Sequence, residues 1–292
     1  MKKILNKLFE HKPLSREEAR NVMLNLGKGM YNEAEIAAFV TVFLMRSITI
    51  NEFTGFRDAL LELCLPVQLS TRETIDIVGT GGDGKNTFNI STLACFIVAG
   101  AGFRVTKHGN YGVSSVSGSS DVLETLGYSF SAQTDKLNRE LEEAGICFLH
   151  APLFHPALKA VAGVRRNLGL RTFFNLLGPL VNPVRPKYQV VGVFNAETAR
   201  YYTYLLQQGD TDFCIVHTLD GYDEISLTDD AKLVTRNGEK IMGPVALGKR
   251  TVQATDILGG TTVADAAKIF RNILSGNGTW AQNAVVLANA AV

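Results

Sequence analysis

Residues 74–120 read TIDIVGTGGDGKNTFNISTLACFIVAGAGFRVTKHGNYGVSSVSGSS. A short apolar run, Ile75–Val78, stops at Gly79-Thr80-Gly81-Gly82-Asp83-Gly84, and Asn89-Ile90-Ser91-Thr92 then opens an apolar helical segment. A second apolar run leads into Lys107-His108-Gly109-Asn110 and a Ser/Gly-rich loop. This strand–loop–helix–strand alternation predicts an α/β domain on a largely parallel sheet. Glycines let backbone N–H groups approach an oxyanion, and a helix N-terminus adds unpaired donors and the positive end of its dipole. The stretch therefore reads as a site for a phosphorylated or pyrophosphorylated ligand.

Two better-known phosphate loops fail here. GTGGDG satisfies Gly-x-Gly-x-x-Gly after a strand. A dinucleotide fold also requires the helix to start at once and an acidic residue at the end of the next strand. Here Lys85–Asn89 intervene, and the next strand ends in Lys107. No Gly-Lys-Ser/Thr closes a nucleotide-triphosphate loop either. A ligand-free turn would account for one or two glycines, but not for this many beside Asn89, Ser91, Thr92, Lys107, Ser114 and Ser115.

Residues 1–69 read as helices, with capping-box starts at Ser15/Glu18 and Asn32/Glu35. Ala34–Met45 is apolar nearly all round, which suits either a bundle core or a subunit interface. Residues 70–292 form the α/β part. Expected strands are Ile75–Val78, Phe103–Lys107, Tyr128–Phe130, Ile146–Leu149, Gln189–Val193 and Phe213–His217, with a strand pair in Ala231–Met242 turning at Asn237-Gly238. Expected helices include Ser91–Ala101, Asp121–Leu126, Thr134–Ala144, Pro156–Gly163, Ala196–Gln208 and Val263–Leu274. Thr279-Trp280-Ala281-Gln282 opens a last helix that runs to Val292 without a stop signal, so the chain reads as truncated there.

The totals narrow the function classes. A net charge of +1 over 292 residues argues against binding through a broad basic face, so no nucleic-acid partner is expected. Cys64, Cys95, Cys147 and Cys214 sit in apolar runs without Cys-x-x-Cys spacing and read as buried thiols of a reducing compartment. MKKILNKLFEHK lacks the apolar core of a signal peptide, and no run reaches the ~18 apolar residues of a membrane span. A cytoplasmic location is expected.

A phosphate ligand commonly brings a hard cation with oxygen ligands. Asp223-Glu224, in the turn GYDEIS after FCIVH, stands where the carboxyl edge of the sheet would lie, and Ser91 could add a hydroxyl. By itself an acid pair in a turn more often reads as solvated. Arg165-Arg166 either clamps a carboxylate or finishes a helix favourably, and His108 and His155 read as structural histidines or proton carriers.

Taken together, GTGGDG, Asn89–Thr92, Lys107–Asn110, Ser114-Ser115-x-Ser117-Gly118-Ser119, Arg165 within the stretch before LGLRT, NLLGPLVNP (Asn175–Pro183) and Asp223-Glu224 resemble the anthranilate phosphoribosyltransferase family, in order and over essentially the whole chain. The Lys-His-Gly-Asn loop alone is shared with pyrimidine nucleoside phosphorylases, the enzymatic alternative. A nucleic-acid-binding relative on the same fold is the non-catalytic one.

The resemblance implies a class II nucleoside-phosphorylase-like fold: a small N-terminal helical domain (1–69, joined by helices from about 165–183) hinged to a larger α/β domain (70–292) with a mostly parallel central sheet. It implies transfer of phosphoribose from phosphoribosyl pyrophosphate to anthranilate in tryptophan biosynthesis, with Mg2+, in a homodimer formed through the helical domain around Ala34–Met45. By position, Gly79, Gly82, Asp83, Thr87, Asn89, Ile90, Ser91 and Thr92 would hold the donor. Lys107, His108, Gly109, Asn110, Tyr111, Gly112, Val113, Ser114, Ser115 and Ser119 would close over it. Gly79, Asn110 and Arg165 would contact anthranilate, with His155 and Pro179 near, and Ser91, Asp223 and Glu224 would bind the metal. No catalytic acid or base is implied. The family more often has Arg at position 111, so Tyr111 removes a cationic contact, and its members usually continue several tens of residues past Val292.

Overall fold

A computed structural model of the chain describes residues 1–112 and 115–292. In chain order, α1 (Lys2–Phe9), α2 (Arg16–Gly27), α3 (Glu33–Met45) and α4 (Ile50–Leu63) precede β1 (Ile75–Gly79), α5 (Ile90–Gly100), β2 (Val105–Gly109), α6 (Ser119–Thr125), α7 (Thr134–Glu143) and β3 (Ile146–His150). Three short helices follow, α8 (Ala151–Phe154), α9 (Lys159–Leu168) and α10 (Phe173–Leu177). The chain ends with β4 (Tyr188–Gly192), α11 (Ala196–Gln207), β5 (Asp212–Thr218), β6 (Ala231–Thr235), β7 (Gly238–Met242), α12 (Val263–Leu274) and α13 (Trp280–Ala290). It divides into two compact units, residues 1–67 with 151–183, and residues 68–150 with 184–292. The segment that returns to the helical unit thus opens at Ala151, earlier than position 165.

The helical unit is built on local stop and start signals. Ser15, Asn32 and Thr49 each accept from the N–H of a glutamate three residues on, whose side chain caps back. Inside it, Phe56 of α4 stacks on Phe173 of α10 at 4.7 Å, and Phe39 and Phe43 of α3 meet them edge-on. That cluster absorbs much of the apolar character of Ala34–Met45, while Leu44 and Met45 remain exposed. His155 is buried in the same unit, and desolvation pulls its imidazole down to about 4.

The larger unit is a seven-stranded sheet in the order β3-β2-β1-β4-β5-β6-β7. β3 through β5 run parallel, and β6 and β7 close one edge antiparallel, turning at Arg236-Asn237, one residue before the expected Asn237-Gly238, because Gly238 already pairs with Thr235. Strands β1 to β3 are laid down in one direction and β4 to β5 in the other, so the order reverses between β1 and β4. In open α/β sheets that reversal leaves a crevice beyond the carboxyl ends of the two strands. Gly79 pairs with Gly192 at that point.

One expected strand is absent. Tyr128–Phe130 has no ladder partner among the described residues; its aromatic residues are held by ring packing instead, Tyr128 on Phe148 and Phe130 stacked on His150 at 4.4 Å. The expected helix Pro156–Gly163 is a short 3-10 turn, Pro156–Leu158, running into α9. The helix predicted at Thr279 forms with a Thr279/Gln282 capping box.

Because folded His155 is held neutral down to about pH 4, the unfolded chain binds more protons between about pH 4 and 6.5. Stability from this group is full above pH 6.5 and drains as pH falls, by on the order of 3 kcal/mol. Urea unfolding at pH 7 and pH 4.5 should show this loss in the wild type and a smaller one in His155→Gln. Equal pH slopes in the two proteins would refute the assignment.

Candidate active site

The acid pair occupies the crevice between β1 and β4. A side chain on Gly79 would collide with the Asp223 carboxylate, and one on Gly192 with the Asp223 backbone. The two glycines therefore make the room in which the 223–224 turn sits. Asp223 Oδ2 accepts from the Gly81 N–H at 2.6 Å, and Glu224 Oε1 accepts from the Ser91 N–H, in the first turn of α5, at 2.9 Å. Asp223 is 7% exposed. Glu224 keeps some exposure along its chain, but its Oε2 is buried and accepts no hydrogen bond among the described residues.

Burial, and then the like charge of Asp83, push Asp223 up to about 7. Burial and the Asp223 charge push Glu224 well above the usual carboxylate range. Two features offset this: the positive end of α5, and Lys107, whose charge acts on Glu224. Lys107 is itself buried and donates from Nζ to the Ile77 carbonyl at 2.6 Å.

The glycine loop is shaped from two sides. Gly81 and Gly82 adopt consecutive positive φ angles, 65° and 74°, a conformation that side chains disfavour. Asp83 Oδ1 caps the Lys85 N–H, and Lys85 lies over the Tyr222 ring at 4.7 Å, beside the acid pair. Thr87 bridges to Leu258, and the Asn86 side chain donates to the Gly260 carbonyl. Ile90 and Thr92 point into the core, which leaves Asn89 and Ser91 to face the loop. The Asn89 side chain reaches Ser117 at 3.4 Å and so joins this loop to the next.

That second loop follows β2. His108 is buried, and its N–H donates to the buried Asp76 at 3.2 Å. Asn110 Oδ1 accepts from the Tyr111 N–H, and its carbonyl accepts from Ser120 N–H. Gly109 abuts Ser119, which begins α6, and Ser115 donates to the Ser117 carbonyl. Asp121 Oδ2 gathers the N–H groups of Gly112 and Gly118, each at 2.7 Å. Tyr111 packs edge-on to His150 at 4.9 Å and approaches Glu124 at 3.4 Å. Val113 and Ser114 lie outside the described residues. Arg165, half-buried on α9 of the helical unit, lies over the Phe174 ring at 5.4 Å; His155 and Pro179 belong to the same unit.

The donor set fits a hard cation. It is all oxygen, it is crowded with like charge, and one buried carboxylate oxygen lacks a partner. Among the described residues no group of three or more His, Cys, Asp or Glu side chains forms a ready metal cage. Mg2+ does not need one, since it is commonly held by one or two carboxylates, waters and substrate phosphates.

The α/β domain model of a glycosyl transferase family matches residues 71–292, and the helical bundle domain of that family matches residues 2–64. The chain is 58% identical to the anthranilate phosphoribosyltransferase of Flavobacterium psychrophilum, over 99% of its own length and 88% of that relative. It is also 58% identical to that of Bacteroides fragilis, over 100% and 88%. The chain belongs to the anthranilate phosphoribosyltransferase family.

Solved anthranilate phosphoribosyltransferases share its fold. The crystal structure from Thermus thermophilus superposes with a TM-score of 0.90 at 34% identity, covering 98% of this chain and 86% of that one. The Saccharomyces cerevisiae enzyme, in complex with PRPP and Mg, does so with 0.89 at 25%, covering 98% and 85%. Within this anthranilate phosphoribosyltransferase scaffold, sequence reading passed over Asp76 and Asp121, which hold the second loop's backbone. The available signal was an aspartate inside each of two otherwise apolar or small-residue runs.

Ionised Asp223 opposes folding. With a folded pKa near 7 against 3.8 for the exposed group, the stability it contributes is present below about pH 4 and lost as pH rises to about 7. Asp223→Asn with Glu224→Gln should therefore raise the unfolding midpoint of the ligand-free protein, increasingly as pH rises from about 4 to 7. A lower midpoint at pH 7 would contradict this.

Proposed function

We infer that this chain transfers the phosphoribosyl group of phosphoribosyl pyrophosphate to the amine of anthranilate, releasing pyrophosphate, as a step of tryptophan biosynthesis. The observation that carries the reading is the acid pair, buried at the β1/β4 crevice between a glycine loop and the N-terminus of α5. We assign the donor to Gly79, Gly82, Asp83, Thr87 and Asn89–Thr92, with residues 107–119 as its cover. Asp223, Glu224 and the Ser91 hydroxyl are assigned to Mg2+. Bound there, Mg2+ would offset the charge on the departing pyrophosphate.

The residues do the rest by placement. Backbone N–H groups of the glycine loop and of α5 face the leaving group, where negative charge grows. Asn110 and Gly79 orient anthranilate, and Arg165 is proposed as the guanidinium that takes its carboxylate. The aromatic amine is neutral at pH 7 and attacks without a strong general base. No histidine–acid pair is assigned to the reaction, and His108 serves the loop through its backbone bond to Asp76. Holding the two reactants in line supplies the remaining acceleration.

A homodimer formed through the helical unit is part of the proposal, supported by the exposed apolar side chains Phe9, Met30, Leu44 and Met45. A cytoplasmic location is proposed as well. All four cysteines are free, and burial raises the Cys95 and Cys214 thiols to about 11 and Cys147 to about 12, so they are poor nucleophiles at neutral pH. Among the described residues no helix is long and apolar enough to cross a membrane.

The test is loss of anthranilate fluorescence in the presence of protein, Mg2+ and phosphoribosyl pyrophosphate. Wild type should consume anthranilate, and Asp223→Asn/Glu224→Gln should lose at least about a hundredfold in kcat/KM. Phosphorolysis of thymidine or uridine without anthranilate turnover would overturn the assignment. Near-normal turnover by the double variant would reduce the acid pair to a polar turn.

A further inference from the structure

Asn289 lies on α13, far in sequence from every residue assigned to the site, yet it is only 5% exposed and its amide is fully engaged. Oδ1 accepts from the Ile225 N–H, and Nδ2 donates to the Ile225 carbonyl and to the Val285 carbonyl, each at 2.9 Å. Ile225 directly follows Glu224. An amide side chain that pairs with both the N–H and the C=O of one residue fixes that residue in position and orientation, as a neighbouring strand would.

The same peptide group is held from its other end. The Ile225 N–H belongs to the peptide that joins Glu224 to Ile225, and the oxygen of that peptide, the Glu224 carbonyl, accepts from Thr218 Oγ1 at 2.5 Å. Thr218 ends β5 and is fully buried. One peptide plane is therefore pinned by the sheet at its oxygen and by α13 at its nitrogen, immediately beside the Glu224 carboxylate. α13 also packs along α5, whose first turn supplies the Ser91 N–H to that carboxylate. A single helix thus touches both the turn that carries the acid pair and the helix that donates to it.

We propose that Asn289 is a positioning residue for the metal-binding pair Asp223-Glu224, and that it acts by fixing the Glu224–Ile225 peptide; this rests on the assignment of that pair to Mg2+. Only an amide serves here. Alanine removes all three bonds and leaves two buried backbone groups of Ile225 and the Val285 carbonyl without that partner. Groups that orient metal ligands typically govern affinity by 10–100-fold.

The test uses Mn2+ as the probe, with phosphoribosyl pyrophosphate present and anthranilate absent, and reads free Mn2+ by its electron paramagnetic resonance signal. Asn289→Ala is compared with Val286→Ala, a core truncation on the same helix that leaves Asn289 in place. Asn289→Ala should weaken Mn2+ binding about tenfold or more and raise the Mg2+ concentration for half-maximal turnover in parallel, with faster hydrogen exchange in residues 223–226. Val286→Ala should stay within about twofold on both readouts, even where its unfolding midpoint falls as far.

Mn2+ affinity in Asn289→Ala equal to that in Val286→Ala would overturn the proposal. If the alanine variant does not fold, Asn289→Ser is held to the same criterion. Asp223→Asn/Glu224→Gln separates the two layers: Mn2+ binding unchanged in that double variant sinks the metal assignment and the Asn289 proposal together. Loss of binding there with no effect at Asn289 sinks only the latter.

Discussion

Two adjacent carboxylates held out of water set the conditions for the rest of the α/β unit. Desolvating a charge costs several kcal/mol unless hydrogen bonds and opposite charge offset it. Asp223 has the Gly81 N–H, and Glu224 has the Ser91 N–H at the positive end of α5. Each of those donors exists because of a neighbouring constraint: glycine backbone in the loop, and a helix that starts within reach of the turn. Lys107, which an exposed reading would place on the surface, is buried and sends its ammonium to the Ile77 carbonyl, from where its charge also acts on Glu224. The compensation is incomplete, since both acids stay raised. Such a deficit is what the proposed cation would offset.

The topology explains why the deficit lies where it does. The strand order reverses between β1 and β4, and the crevice at that reversal is lined by Gly79 and Gly192. Both lack a Cβ at the point where Asp223 enters. The turn that carries Asp223 and Glu224 leaves β5, the next strand along, and is bound back to it through Thr218. Its far side is closed by α13 through Asn289. The acid pair is therefore held by β5, α5 and α13 together with the glycine loop, which suits the placement the proposed reaction needs.

Much of this was readable from the chain. Capping boxes at Ser15 and Asn32, the glycine loop and the helix after Asn89 are signals between residues a few positions apart, and they formed as read. The type of each parallel strand was legible from short β-branched runs. Tyr128–Phe130 was misread because aromatic residues favour strands only where a ladder is available. Here their rings find Phe148 and His150 instead. The apolar character of α3 was legible, but its division was not: Phe39 and Phe43 join a ring cluster, while Leu44 and Met45 stay outside.

By itself, the sequence determined the residue types that we assign to a phosphate and metal site, their order along the chain, and the α/β alternation that would hold them. Tertiary structure alone decided that Asp223-Glu224 is a largely buried pair and not a solvated turn, that Lys107 is a counter-charge, and that an asparagine in an alanine-rich last helix holds the residue after Glu224. The physical reason is distance along the chain. Gly81 meets Asp223 across 142 positions, Ser91 meets Glu224 across 133, and Ile225 meets Asn289 across 64. Burial and the pairing of such residues are set by which elements pack together, and no local pattern encodes them.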